Sequence, residues 1–179
     1  MSDWPRDIPF PGSPRVLSPF CSNSIAVAIG SLGAPAGATN WPVANRAFYV
    51  PVRITSPFTV DRVFWINGSV VGGNVDVGIY SFDGTRLISS GAIVQSGINV
   101  IQISNVANTL IGPGLYYLAV SLSSTTGRLS KSVPTQYQAV GLGMLEQDTA
   151  NPLPAVATFA ALSAAPHLAL FGMLDGTVI

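Results

Sequence analysis

His167 is the only histidine in these 179 residues, so nucleophilic or general-base chemistry of the Ser-His-Asp or Cys-His kind would have to run through it. It stands between Pro166 and the apolar residues 168–171, a setting that suits a packed side chain at the start of a strand, and no G-x-S-x-G turn accompanies it. Glycoside hydrolysis needs two carboxylates across the scissile bond, and the candidates are Asp61, Asp76, Asp83, Glu146 and Asp148. Asp83 is accounted for by a turn with Gly84, Asp61 by an exposed strand position beside Arg62, and Glu146 and Asp148 by a loop ahead of Asn151-Pro152. Asn74 and Asp76 share one face of a strand without a third carboxylate nearby, short of the oxygen-rich loop that calcium takes. The lone Cys21 forms no disulfide framework within the chain and reads as a buried or half-buried thiol in a reducing compartment. The expectation is a non-enzymatic chain: catalytic residues none, metal none, cofactors none.

Sugar recognition without catalysis needs only a few exposed aromatics and amides, and Trp41, Trp65, Tyr80, Tyr137 and Gln138 are available. Trp65 lies in the run Val63-Phe64-Trp65-Ile66, where core or interface packing explains it. Trp41 and Tyr137 remain the candidate glycan contacts. Asn67-Gly68-Ser69 has the glycosylation pattern but reads as a turn, because no export signal is expected: Asp3, Pro5, Asp7, Pro9 and Pro11 occupy the place of a basic and then apolar leader.

Composition narrows the partners. Eight basic and eight acidic residues make 9% of the chain, against roughly 25% for an ordinary soluble domain. Lys131 is the only lysine and Glu146 the only glutamate, so the two residues that most often coat a free monomer are nearly missing. With a mean hydropathy of +0.46, an isolated subunit is expected to expose large uncharged patches that other copies cover, which implies a homo-oligomer. Nucleic acid is excluded as a partner by the charge balance and by arginines scattered from Arg6 to Arg128. No membrane partner is expected either: residues 155–174 carry no formal charge, but Pro166 and His167 interrupt them and much of the stretch is alanine.

The elements divide the chain into a proline- and glycine-rich arm and lead-in, residues 1–44, and a domain, residues 45–179. Prolines at 5, 9, 11, 14 and 19 remove backbone donors, so the first twenty residues suit an extended arm, with a short strand expected at 24–29. Trp4, Ile8, Phe10 and Phe20, together with Val16 and Leu17, are too apolar for a solvated linker, and the first four are the candidate interface residues. From residue 47 onward, β-branched and aromatic runs recur between turn residues every eight to twelve positions, predicting strands at 47–54, 59–67, 74–80, 85–89, 98–103 and 115–122. Val75, Val77 and Ile79 alternate with polar or small residues, as in a strand with one face in the core and one outside it. Asp83-Gly84 predicts a tight hairpin of the two-residue kind. Gly112-Pro113-Gly114 marks a turn into a central strand packed on both sides, with 98–103 as its neighbour. Further on, 138–144 reads as a strand, 149–165 as a connection with room for one short helical turn, and 167–171 as a last strand that pairs near residue 50. The fold class is all-β: an antiparallel β-sandwich, jelly-roll or Greek-key like, with an extended Pro-rich N-terminal arm.

The segments Tyr49-Val50-Pro51-Val52-Arg53-Ile54, Thr59-Val60-Asp61-Arg62-Val63-Phe64-Trp65, Asn74-Val75-Asp76-Val77-Gly78-Ile79-Tyr80 with Asp83-Gly84-Thr85, and Gly112-Pro113-Gly114-Leu115-Tyr116-Tyr117-Leu118-Ala119 resemble the β-sandwich modules of tailed-bacteriophage virion proteins. The resemblance covers residues 45 to 122 and rests on motifs of a fold, which carbohydrate-binding modules share. It implies a structural role on the head or tail, in many copies or as a trimer, beside other virion proteins such as the major capsid protein, after assembly in the host cytoplasm. Two functions follow as expectations: a capsid decoration or cement subunit held by oligomer and arm contacts, or a tail- or fibre-associated carbohydrate- or receptor-binding module.

Overall fold

A computed structural model describes residues 25–29, 38–132, 136–163 and 167–175, with the side chains of 25–29, 38–39, 132 and 136–138 outside the description. In chain order the elements are β1 (Ile25–Ile29), β2 (Ala38–Asn40), β3 (Arg46–Ile54), β4 (Phe58–Ile66), β5 (Asn74–Ser81), β6 (Arg86–Ser89), β7 (Ile93–Val94), β8 (Ile101–Ile111), β9 (Gly114–Leu122), β10 (Arg128–Ser132), the helix α1 (Gln136–Gly141), β11 (Leu145–Gln147), β12 (Ala160–Ala161), β13 (Leu168–Ala169) and β14 (Phe171–Asp175). The fold is all-β, and the strands pair antiparallel. They form a large sheet in the order β12-β11-β3-β9-β5-β6 with β7 on β5, a four-stranded sheet β1-β14-β4-β8, and a three-stranded sheet β13-β10-β2.

Alternation fixes which side chains meet. In the large sheet Val77 stands opposite Val120 and Val120 opposite Phe48, while Ile79, Leu118 and Val50 form the next row. In the four-stranded sheet Trp65 faces Phe171 and Val63 faces Met173. These rows and their neighbours join in one buried cluster, so the main core lies between the large and four-stranded sheets. Each fully buried large aliphatic side chain there contributes about 1.5–3 kcal/mol of transfer free energy. The proline-rich lead-in supplies two of the strands, β1 against β14 and β2 against β10. Trp4, Ile8, Phe10, Phe20 and Cys21 lie outside the described residues.

The alternation at 74–80 is as expected, but its second face is not open. Ala47, Tyr49, Tyr80, Tyr117 and Ala119 on the far side of the large sheet pack against Ala150 and Leu153, with Ala157 and Phe159 alongside, forming a second core. The chain that follows β11 thus roofs this face, and a strand whose polar positions look solvent-facing is buried on both sides.

Four expectations are corrected. The strand placed at 98–103 starts later and runs further, as β8; Asn99 takes a positive φ of 54° before it, and Val60 pairs Thr109 while Arg62 pairs Asn105, so β8 carries extra residues in a bulge. The neighbours of β9 are β3 and β5, and β8 belongs to the other sheet, because the Gly112–Gly114 turn carries the chain between sheets. The strand read at 138–144 is the helix α1. It ends in a Schellman arrangement, with Gly143 at φ +74°, its N–H bonded to Val140 O, and Met144 N bonded to Ala139 O. Finally, the last strands pair elsewhere than near residue 50: β14 lies on β4 at Val60 to Trp65, and the partner of β3 on that flank is β11.

The turn at Asp83-Gly84 is tight but one residue longer than the two-residue form. Ser81 N bonds to Thr85 O, Gly84 N bonds to Ser81 O, and Gly84 sits at φ +92°, the pattern of a three-residue loop closed by a glycine bulge, while a second bulge at Leu87 shifts the register between Ile79 and Tyr80. Asp83 Oδ1 accepts from Ser81 Oγ and Thr85 N, which holds its carboxyl below the ordinary aspartate range.

Candidate functional site

The groups with chemistry in them are drawn inward. Asp76, fully buried on the roofed face, accepts hydrogen bonds from Ser89 Oγ at 2.8 and 3.0 Å, Ser90 Oγ at 3.1 Å and Leu153 N at 2.9 Å. Burial pushes its carboxyl up, against the pull of those donors and of the nearby Arg86. Around it Asn151 Nδ2 bonds to Asn74 O and Ser121 Oγ, Tyr80 OH bonds to Pro154 O, and Arg86 Nη1 bonds to Leu153 O. Leu153 N, Asn151 Nδ2, Tyr80 OH and Arg86 Nη1 hold the 151–154 segment on the sheet, while Ser89 and Ser90 tie Asp76 to the strand beside it, so Asp76 is a structural hub. Asp76→Asn, which turns one acceptor into a donor amid donors, should cost about 1–3 kcal/mol and speed hydrogen exchange at Leu153. Unchanged stability with full protection at Leu153 would contradict this role.

A second polar group closes the rim of the same sheet. Arg46 gives Nε to Asp148 Oδ1 at 2.6 Å and Nη2 to Asp148 Oδ2 at 3.1 Å, while Nη1 reaches Glu146 Oε2 and Ser163 Oγ, each at 3.2 Å. Glu146 Oε1 accepts from Ser163 N and Oγ. Glu146 and Asp148, read from the sequence as loop residues, are therefore partners of one arginine, and Glu146 belongs to β11. The sequence carries no local sign of this, since the partners stand a hundred residues apart.

His167 is 2% exposed and lies against the Trp41 ring with centroids 4.6 Å apart; its Nε2 is buried without a partner. Trp41, the expected glycan contact, is 1% exposed, packs edge-on to Phe48 and donates Nε1–H to Arg46 O, so it presents no face to a sugar. Trp65 is in the core, as its run of apolar neighbours suggested, and donates to Asn67 Oδ1. Asn67 is itself buried, with Nδ2 on Ser96 O and Gln102 Oε1. Tyr137 belongs to α1, and its side chain lies outside the description. Asp61 bonds to Arg62 Nε at 3.1 Å, as its position beside that residue implied. Among the described residues no three His, Cys, Asp or Glu converge as metal ligands, and no helix is long and apolar enough to cross a membrane.

Apart from Phe82, the large apolar side chains that reach the surface among the described residues are aliphatic. On the open face of the four-stranded sheet Ile101 stands opposite Ile66 and Ile103 opposite Phe64. Ile101 and Ile103 are 60% and 52% exposed, Phe64 and Ile66 are half-buried, and Ile98 and Val100 extend the strip into the preceding turn. The strand that bears it, IQISNVANTLI, is an uncharged sheet edge without proline or lysine, the residues that usually guard such edges. The sequence reading put residues 98–103 in a strand beside the central one, not on an exposed edge. Contiguous exposed apolar surface of this kind marks association. Comparison of the chain with protein-family models, curated proteins and solved structures finds no match.

Proposed function

We propose that this chain is a structural subunit of a tailed-bacteriophage virion, a capsid decoration or cement protein that coats or stabilises the particle through contacts between its own copies and through its N-terminal arm. The observation that carries the reading is the aliphatic strip of Phe64, Ile66, Ile101 and Ile103 on a body whose ionisable groups are largely spent on internal contacts. Asp76, Tyr80 and His167, whose pKa values are displaced by burial, are sealed and line neither the cleft along Arg86–Gly91 nor the one beside Arg53 and Leu115. That favours a non-enzymatic role.

The facing sheets support a sandwich of jelly-roll or Greek-key type, since late strands return beside early ones: β11 beside β3 and β14 beside β4. On this reading the partners are further copies, as a trimer or another closed oligomer, and other virion proteins such as the major capsid protein. Nucleic acid and membrane play no part, and assembly takes place in the host cytoplasm. Light scattering coupled to size exclusion over a range of concentrations should give a closed multiple of 18.6 kDa, and deletion of residues 1–20 should abolish incorporation into particles. A monomer at every concentration would overturn the reading.

A tail-associated glycan-binding module is the second reading, favoured by one feature. Phe82 is 56% exposed and lies flat on Tyr117, with centroids 5.4 Å apart and planes 8° apart, leaving its outer face open to a sugar ring. Glycan-array binding lost on Phe82→Ala would move this reading to the front.

A further inference from the structure

We propose that the aliphatic strip on the four-stranded sheet is the seat of the N-terminal segment, residues 1–24, of a neighbouring copy. The proposal rests on the assembly reading above and names the surface and the occupant that the reading leaves open.

The strip selects an extended guest. Its rows, Ile101 with Ile66 and Ile103 with Phe64, span two strands, a width of about 10 Å. That fits one extended chain and falls well short of the roughly 800 Å² per partner that a stable interface between folded bodies buries. The strip is also neutral, and Arg62, on the same face of β4, is paired with Asp61 at 3.1 Å.

Residues 1–24 match those demands. They carry Trp4, Ile8, Phe10, Val16, Leu17 and Phe20 with two acidic and two basic side chains, Asp3, Asp7, Arg6 and Arg15. Prolines at 5, 9, 11, 14 and 19 leave too few donors for the segment to join the β8 edge as a continuous ladder strand. Proline-rich chain docks instead by side chains on an apolar surface, with little ordering entropy left to lose.

Register sets the start of the segment away from its own strip. The chain enters β1 at Ile25, which pairs with Leu174; Leu174 pairs with Arg62, and Arg62 with Asn105. The strip lies toward the opposite end, where Ile29 pairs with Phe171, Phe171 with Trp65 and Trp65 with Gln102. β1 and β8 are opposite edges of the sheet, so the segment meets β1 at the corner farthest from its own strip. Twenty-four residues extend up to about 80 Å, enough to reach a neighbour, which the assembly reading supplies, and such a head-to-tail contact gives a ring where its rotation closes and an open array where it does not.

The test is disulfide trapping between full-length chains in a Cys21→Ser background. One chain carries Ile103→Cys and an affinity tag; the other carries a single cysteine in place of Trp4, Ile8, Phe10 or Phe20. After mixing and mild oxidation, at least one arm position should give a cross-linked pair at tenfold or more over a control with the exposed Val140→Cys in place of Ile103→Cys. Ile101→Asp with Phe64→Ser should reduce the oligomer seen by light scattering. If a single chain carrying both Ile103→Cys and one arm cysteine cross-links within itself while the mixed chains give no pair above the control, the proposal is overturned, because the segment then lies on its own copy. A stable oligomer without cross-links above the control would overturn this seat and leave the assembly reading standing. A monomer without cross-links would remove both.

Discussion

Arg46→Met should lower the unfolding free energy by about 3–5 kcal/mol, the cost of breaking a buried ion pair from one side. Arg46 is 6% exposed and Glu146 4%, so removing the guanidinium leaves Glu146 in a dry rim with only the Ser163 N–H and hydroxyl as partners. The loss exceeds a single contact because Arg46 opens β3 while Glu146 and Asp148 sit in and after β11, and Ser163 follows β12. One side chain thus fastens three consecutive strands of the large sheet. With a urea m-value of about 2 kcal/mol/M, the midpoint should fall by about 2 M. Arg46→Lys should recover little, since an ammonium cannot bridge Asp148 with two parallel bonds and reach Glu146 as well. Asp148→Asn is the contrasting case: its side chain is 60% exposed, water replaces the lost charge, and the cost should stay below about 1 kcal/mol. A urea midpoint for Arg46→Met close to that of the unsubstituted protein would show that the network contributes little.

That network marks where the sequence stops being readable. The strands at residues 47–54, 59–67, 74–80, 85–89 and 115–122 follow from local periodicity, and each lies within a residue or so of its position in the structure. β8 was cut short because Asn105 to Thr109 resemble a loop: the strand is exposed on one face and bulged, so no alternation of apolar and polar residues advertises it. α1 is only six residues long and has no acidic residue in its first turn and no basic one in its last, so beyond Thr135 before it and Gly143 after it little in the sequence signals a helix. Non-local burial is harder still. Asp76 looks like the polar half of an amphipathic strand because the segment that covers it comes more than seventy residues later. Trp41 looks free for a ligand because Phe48 and His167, which enclose it, meet only in the folded chain. The sparse charge was legible from composition alone, and its use was not: Arg46, Asp76, Glu146 and Lys131 are buried inside the fold.

The buried His167 makes acid the main threat to this fold. Burial, reinforced by the positive charge of Lys131, holds its pKa down at about 3, against an ordinary value near 6.5, with a backbone hydrogen bond at Leu129 opposing weakly. The folded state therefore binds fewer protons than the unfolded chain throughout that interval. The contribution to stability is complete above the unfolded pKa and is lost as pH falls from about 6.5 toward 3, at up to about 1.4 kcal/mol per pH unit and about 4–5 kcal/mol in total. Between pH 7 and pH 5, where most carboxylates stay ionised, the unfolding free energy should drop by about 2 kcal/mol. His167→Gln, neutral across the range, should be less stable at pH 7 for its lost packing on Trp41 but should lose that slope. Because the chain has a single histidine, one imidazole resonance reports the site directly, and it should show no titration between pH 8 and pH 5. A midpoint near 6.5 would mean that water or a counter-charge reaches the ring, and the sealed pocket of Trp41, Lys131 and His167 would then be wrong.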